Sequence, residues 1–275
     1  MYAYLEPSAV DAAVRARMGP AELRSRLGRL GFDPATGLHT LHECARSIVR
    51  GRPAVARPIF QFLLELEPTF FHPADVLLDQ EVGFIRGSGG IAPALDPENI
   101  RLTYSEMRLL AKGNISRELR ELVVERDRGI ASRWPASSGW YLGQVKELRR
   151  RDPNAAPRPA TFEAFVASMQ SSLGTWVLGL AHGKLTQPEV ERVVRNLDIL
   201  IAHRTQLRLW MYLAFICVHD GRTPSHDRLD DFRHVLEGSY CNAFVTNDGS
   251  LMHAVPRLHP QLIVVAWPEV AGDAA

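Results

Sequence analysis

Four carboxylates stand where grouped acids could hold a hard cation: Glu6, Glu43, Asp231 and Asp248. The densest signal is Asp231-Phe232-Arg233-His234 followed by Phe244-Val245-Thr246-Asn247-Asp248. A helix beginning near Asp231 and running about nine residues descends roughly 14 Å at 1.5 Å per residue. A strand over residues 242–247 climbs back about 20 Å at 3.3 Å per residue, so Asp231 and Asp248 reach the same rim of a sheet. If residues 2–5 form a strand parallel to it, Glu6 joins them beyond the carboxyl end, where open α/β sheets place their sites. Carboxylates gathered in this way repel one another unless cations neutralise them. Ligands that are all oxygen favour Mg2+ or Mn2+ over zinc.

At these residues the chain resembles the PIN-domain ribonucleases. Tyr4-Leu5-Glu6-Pro7-Ser8-Ala9-Val10 is similar to that family's first strand and the Asp-Thr/Ala-Ser/Asn that ends it, with Glu6 in the Asp place and Ser8 in the Ser/Asn place. Glu43, within Thr40-Leu41-His42-Glu43-Cys44, resembles the helical Glu, and Asp231 resembles the third acid. Phe244-Val245-Thr246-Asn247-Asp248 resembles the final strand that ends Thr-x-Asp. The likeness covers residues 1–82 and 222–270. It implies a metal-dependent ribonuclease in which Glu6, Glu43, Asp231 and Asp248 are catalytic residues and ligands of Mg2+ or Mn2+. Ser8, His234 and Thr246 would support them. It also implies RNA as substrate and, for toxin-type members, an antitoxin-like protein partner. Glu6 in place of Asp, followed by the stiff Pro7, departs from the pattern. The alternative reading is therefore a catalytically weakened PIN-like scaffold that binds RNA or protein, and a hydrolase of small nucleotide esters is a third.

Taken singly, each acid also has an ordinary use. Glu6 could face solvent at a strand end and Glu43 could be a helix-surface acid. Asp231, Asp230 or Asp227 could open a helix, and Asp248 could cap the turn that begins at Gly249. His234, three residues after Asp231, shares its helix face, where a hydrogen-bonding role competes with a catalytic one. His39-Thr40-Leu41-His42-Glu43 is HxxHE, neither of the zincin orders, although two histidines at i and i+3 could meet a metal. Gly87-Ser88-Gly89-Gly90 lacks the lysine of a phosphate loop. Trp134 and Trp140, near arginines, could stack on bases or pack between helices.

The elements that must position these residues follow from periodicity and breakers. Residues 2–5, 69–71, 242–246 and 261–267 read as strands. Residues 11–30, 58–67, 161–182, 187–218 and 229–240 read as helices, as does a segment after Thr36-Gly37 with Leu38, Leu41, Cys44, Ala45 and Ile48 on one face. Gly31 and Asp33-Pro34 read as a break, and so do residues 83–98 and the proline-rich 152–159. Strands at both chain ends predict one three-layer α/β unit with a mainly parallel sheet, formed by 1–85 and 221–275. Residues 86–220 then read as an all-helical insertion.

Composition narrows the classes. With 275 residues and 46% hydrophobic, the chain can bury a core without disulfides. Lys and Arg (32) nearly balance Asp and Glu (31), so overall charge does not mark a nucleic-acid binder. All but Lys112, Lys146 and Lys184 of these cations are arginines, as a GC-rich bacterial genome would give. Residues 101–151 are locally basic, so Arg117, Arg120, Arg149, Arg150 and Arg151 are candidates for RNA phosphates flanking an acidic centre. The competing use is a solvated, salt-bridged helix face. Three separated cysteines exclude a disulfide framework. With no apolar run of membrane length and no basic, apolar leader in MYAYLEPSAVD, a cytoplasmic protein without membrane contact is expected.

Overall fold

The computed structural model describes residues 1–151, 159–180 and 185–272; most of the proline-rich break lies outside them, as do the side chains of Trp134, Trp140 and Asp227. Five strands, β1 (Tyr2–Leu5), β2 (Asp33–Gly37), β3 (Thr69–Phe71), β4 (Ala243–Thr246) and β5 (Ile263–Ala266), form one sheet in the order β3-β2-β1-β4-β5. Every pairing is parallel. The two chain ends therefore share one sheet, with β1 beside β4 at its centre.

Between β1 and β2 run α1 (Pro7–Arg15) and α2 (Pro20–Arg29), and between β2 and β3 run α3 (Leu38–Val49) and α4 (Pro53–Leu66). The long crossover from β3 to β4 holds α5 (Ala74–Arg86), α6 (Pro97–Ala111), α7 (Arg117–Arg151), α8 (Phe162–Ser168), α9 (Leu173–Leu180), α10 (Gln187–Arg195), α11 (Ile201–His219) and α12 (His226–Glu237). After β4 come α13 (Gly249–Leu258), β5 and α14 (Trp267–Ala271).

Side chains on a strand alternate between faces, and both faces here are covered. Ala3, Leu5, Ala243 and Val245 enter one core with residues of α1–α4, α6 and α14. Tyr4 and Phe244 enter the other, against α8 and α10–α13. The result is a three-layer α/β architecture. Helices of the middle segment complete both outer layers, through Met107 and Leu110 on one side and Leu207, Leu209 and Leu213 on the other. Full burial of such a side chain contributes about 1.5–3 kcal/mol. Among its described residues that segment holds no strand, only a bridge from Ala94 to Phe71.

The observed elements correct several sequence expectations. Asp33-Pro34 does not break the chain but begins the interior strand β2. Asp33 donates its N–H toward β1, to Met1 O at 2.7 Å. By alternation the N–H missing from Pro34 falls on the β3 side, where pairing begins only opposite Ala35. Helix α1 starts at Pro7 rather than near Asp11, because proline at a first helical position loses no intrahelical bond. The helix expected over 187–218 is two helices. Buried Glu81 of α5 accepts from Ala202 N (2.6 Å) and His203 N (2.8 Å), so a tertiary cap opens α11.

Candidate metal centre

Glu6 follows the last residue of β1, and Asp248 lies two residues past the end of β4. These neighbouring strands are where the order reverses, since from β1 the chain goes to β2 on one side and β4 lies on the other. Crevices at such switch points, beyond the carboxyl ends of strands, are where α/β sheets bind ligands. Glu43 comes from α3, which directly follows β2, and Asp231 from α12. The start of α12 at His226 puts Asp231 in the second turn, so it is not the N-cap.

Two hydroxyls tie the strand ends together. Thr246 Oγ1 donates to Glu6 Oε2 at 3.0 Å, and Ser8 Oγ donates to the same oxygen. Asn247 N in turn donates to Ser8 Oγ (2.9 Å) and Asp248 N to Thr246 Oγ1 (3.0 Å). Glu6 is 6% exposed, and burial raises its carboxyl above the ordinary value against the pull of His234 and these hydroxyls. Asp248 caps α13, accepting from Ser250 N (2.6 Å) and Leu251 N (3.2 Å). Burial works to raise Asp248, but the Ser250 and Leu251 donors outweigh it and hold the carboxyl low.

Asp231 reports on the whole group. Burial, then the charges of Glu43 and Asp248, with Glu6 adding and His234 opposing, push its carboxyl up to about 7. The four acids are therefore electrostatic neighbours.

Glu43 is linked to a second network beneath the rim. His234 Nε2 donates to Glu43 Oε2 at 2.8 Å, and His234 Nδ1 lies 3.1 Å from the Tyr4 hydroxyl. That hydroxyl donates to Glu237 Oε2 at 3.3 Å, and the same oxygen accepts from His39 N at 3.0 Å. Burial disfavours the imidazolium of His234, but the Glu43 bond and charge outweigh it and raise its pKa. Burial likewise works against Glu43 ionisation, and His234 overcomes it, so both partners favour the charged pair. Burial pushes Glu237 up to about 7.

Sequence reasoning missed Tyr4 and Glu237, and it gave His39 and Asp230 other uses, as a metal partner of His42 and as a helix opener. Glu237 lies three residues beyond His234, on the same helix face, which was the available signal. His39 Nε2 contacts Asp230 O at 3.1 Å, and Arg46 donates to Asp230 Oδ2 at 2.7 Å. One ligand atom each from His39, Glu43 and His234 fall within 4.8 Å of one another, a mixed set that could hold a borderline metal ion. The i, i+3 histidines His39 and His42 stack at 5.8 Å.

The site thus brings together Glu6, Ser8, Glu43, Asp231, His234, Thr246 and Asp248. The basic helix end stands apart from these bonds: Arg149 donates to Val218 O (2.6 Å), while Arg150 and Arg151 each reach Glu147 at 2.9 Å. Arg117 pairs with Glu121 at 2.8 Å. The Arg117, Arg150 and Arg151 contacts are those of a salt-bridged helix face, whereas the Arg149 bond ties α7 to α11.

No protein-family model matches the chain, and no similar curated protein or solved structure is found. Among the described residues no helix is long and apolar enough to cross a membrane.

Proposed function

We propose that the carboxyl rim is a divalent metal centre and that the protein is a metal-dependent ribonuclease hydrolysing RNA phosphodiesters. The observation that carries this is the convergence of Glu6, Glu43, Asp231 and Asp248 at the switch point, where burial and then the charges of Glu43 and Asp248 raise Asp231 to about 7. Such a group fits a hard cation, which would be held by these four carboxylates as Mg2+ or Mn2+. When bound, the ion supplies Lewis acidity toward the phosphodiester and its attacking water. The remaining work falls to side chains. Ser8 and Thr246 orient Glu6, and Thr246 also fixes the backbone ahead of Asp248. His234 holds Glu43 in one orientation. The likeness to PIN-domain ribonucleases in the order of the four acids supports the substrate class, and a parallel sheet with β1 beside β4 is compatible with it.

Asp231→Asn and Asp248→Asn should each abolish Mg2+- or Mn2+-dependent cleavage of RNA while the fold is retained. Full cleavage by the double variant would refute the assignment. A second reading is favoured by one observation: Glu6 and Glu43 are already bound by hydroxyls and an imidazole. In that reading the rim is catalytically weakened and the protein is an RNA- or protein-binding module. Metal binding without RNA cleavage by the wild type would support it.

A further inference from the structure

Beside the rim lies an open cleft of about 720 Å³ that the acid cluster does not use. Its walls come from the start of α8, the carboxyl end of α11 and the facing sides of α12 and α13. This size is within the roughly 300–1,000 Å³ of ligand sites. It borders the acid cluster at Asp248. Arg228 lies three residues before Asp231 on α12, and its charge acts on Asp248. Gly249 and Ser250, directly after Asp248, form part of the lining.

The cleft is cationic in effect. Its two carboxylates are already paired with guanidinium groups, Glu163 with Arg208 at 2.5 Å and Asp220 with Arg222 at 3.0 Å. Arg228 and Arg257, by contrast, make no ion pair among the described residues. Arg257 is steadied by His253 O at 3.0 Å and lies 5.9 Å over the Tyr212 ring. Part of the remaining wall is a flat face, where half-buried Phe215 stacks on exposed His219 at 4.9 Å. Guanidinium groups beside a stackable face are how proteins hold single strands.

We propose that this cleft binds the single-stranded segment flanking the cleaved phosphodiester, with phosphates on Arg228 and Arg257 and a base on the Phe215–His219 face. The proposal rests on reading the rim as a hydrolytic centre, and it assigns substrate binding to this cleft rather than to the arginines at the end of α7.

The test is fluorescence anisotropy of a labelled single-stranded oligoribonucleotide in metal-free buffer, followed between about 50 and about 200 mM salt. Arg228→Ala/Arg257→Ala should weaken binding about tenfold or more and lower the salt slope by about 1.4, roughly 0.7 per phosphate contact. Arg228→Lys/Arg257→Lys, which keeps the charge, should retain most of the affinity. Because Arg257 packs on Tyr212, Arg228→Ala alone provides a second arm with a slope change of about 0.7. Unchanged affinity and slope in both Ala variants would overturn the proposal, as would failure of the wild type to bind the oligonucleotide. A parallel Mn2+ cleavage assay separates the two readings. Binding that depends on Arg228 without cleavage leaves the cleft standing and removes the hydrolase, whereas cleavage with arginine-independent affinity does the reverse.

Discussion

His234 Nε2 lies 2.8 Å from Glu43 Oε2 across 191 residues of sequence, and this contact joins α12 to α3 beneath the acidic rim. His234 is fully buried, while the Glu43 side chain remains 35% exposed. One end of the pair is fixed by the core and the other is open to the rim.

Removing the imidazole therefore leaves a partly buried carboxylate without its partner. His234→Ala should cost about 2 kcal/mol, below the 3–5 kcal/mol of a fully buried broken pair because Glu43 is partly solvated. The pH dependence follows from both shifts. The raised His234 stabilises fully below its unfolded pKa and is lost as pH rises through the folded value. The lowered Glu43 stabilises above its unfolded pKa and is lost as pH falls through the folded value. Urea unfolding of wild type and variant across pH should give the largest gap between these limits, and a pH-independent gap would contradict the charged pair.

Asp231 acts in the opposite sense at neutral pH. Its carboxyl sits at about 7 in the fold against an ordinary value near 3.8, so its contribution is complete below the ordinary value and is lost as pH rises through about 7. Asp231→Asn should raise the Tm at pH 8 and leave it nearly unchanged at pH 4, as read by thermal unfolding. Equal effects at both values would show that neither burial nor the neighbouring acids raise this carboxyl.

Gly37 precedes α3, and a Cβ built there would overlap Glu237 Oε2 and lie 2.8 Å from the Tyr4 hydroxyl. Its backbone is ordinary (φ −116°), so Gly37→Ala tests the close approach alone. Overpacking should cost about 1–3 kcal/mol. A chemical-denaturation midpoint within error of wild type would mean that Glu237 has room to withdraw from His39 N.

Much of the fold was legible in the sequence, and the illegible parts share a cause. Residues 3–5, 70–71 and 243–245 are apolar runs buried on both faces, so their composition announces them. Asp33–Gly37 does not, because Pro34 and Gly37 are turn residues in isolation and only the late start of β3 makes proline tolerable there. The break between α10 and α11 is similarly hidden, since its cap is Glu81, more than a hundred residues away. At the site, the order of the acids pointed to the rim. The network of Tyr4, His39 and Glu237 was harder to read, because only the i, i+3 spacing of His234 and Glu237 signals it and the rest depends on which face of α12 meets β1.

Tyr4→Phe probes that network without changing shape. It should cost about 1–2 kcal/mol by leaving His234 Nδ1 and Glu237 short of a partner. Equilibrium unfolding checks this, and a neutral substitution would mean the hydroxyl is dispensable to both groups.

Calorimetric titration with Mn2+ of the wild type and of Asp231→Asn/Asp248→Asn tests the metal centre most directly. The wild type should bind the ion with a saturable heat, and the double variant, folded by circular dichroism, should show none. Absence of binding to the wild type, or equal binding to both proteins, would contradict a metal centre at this rim.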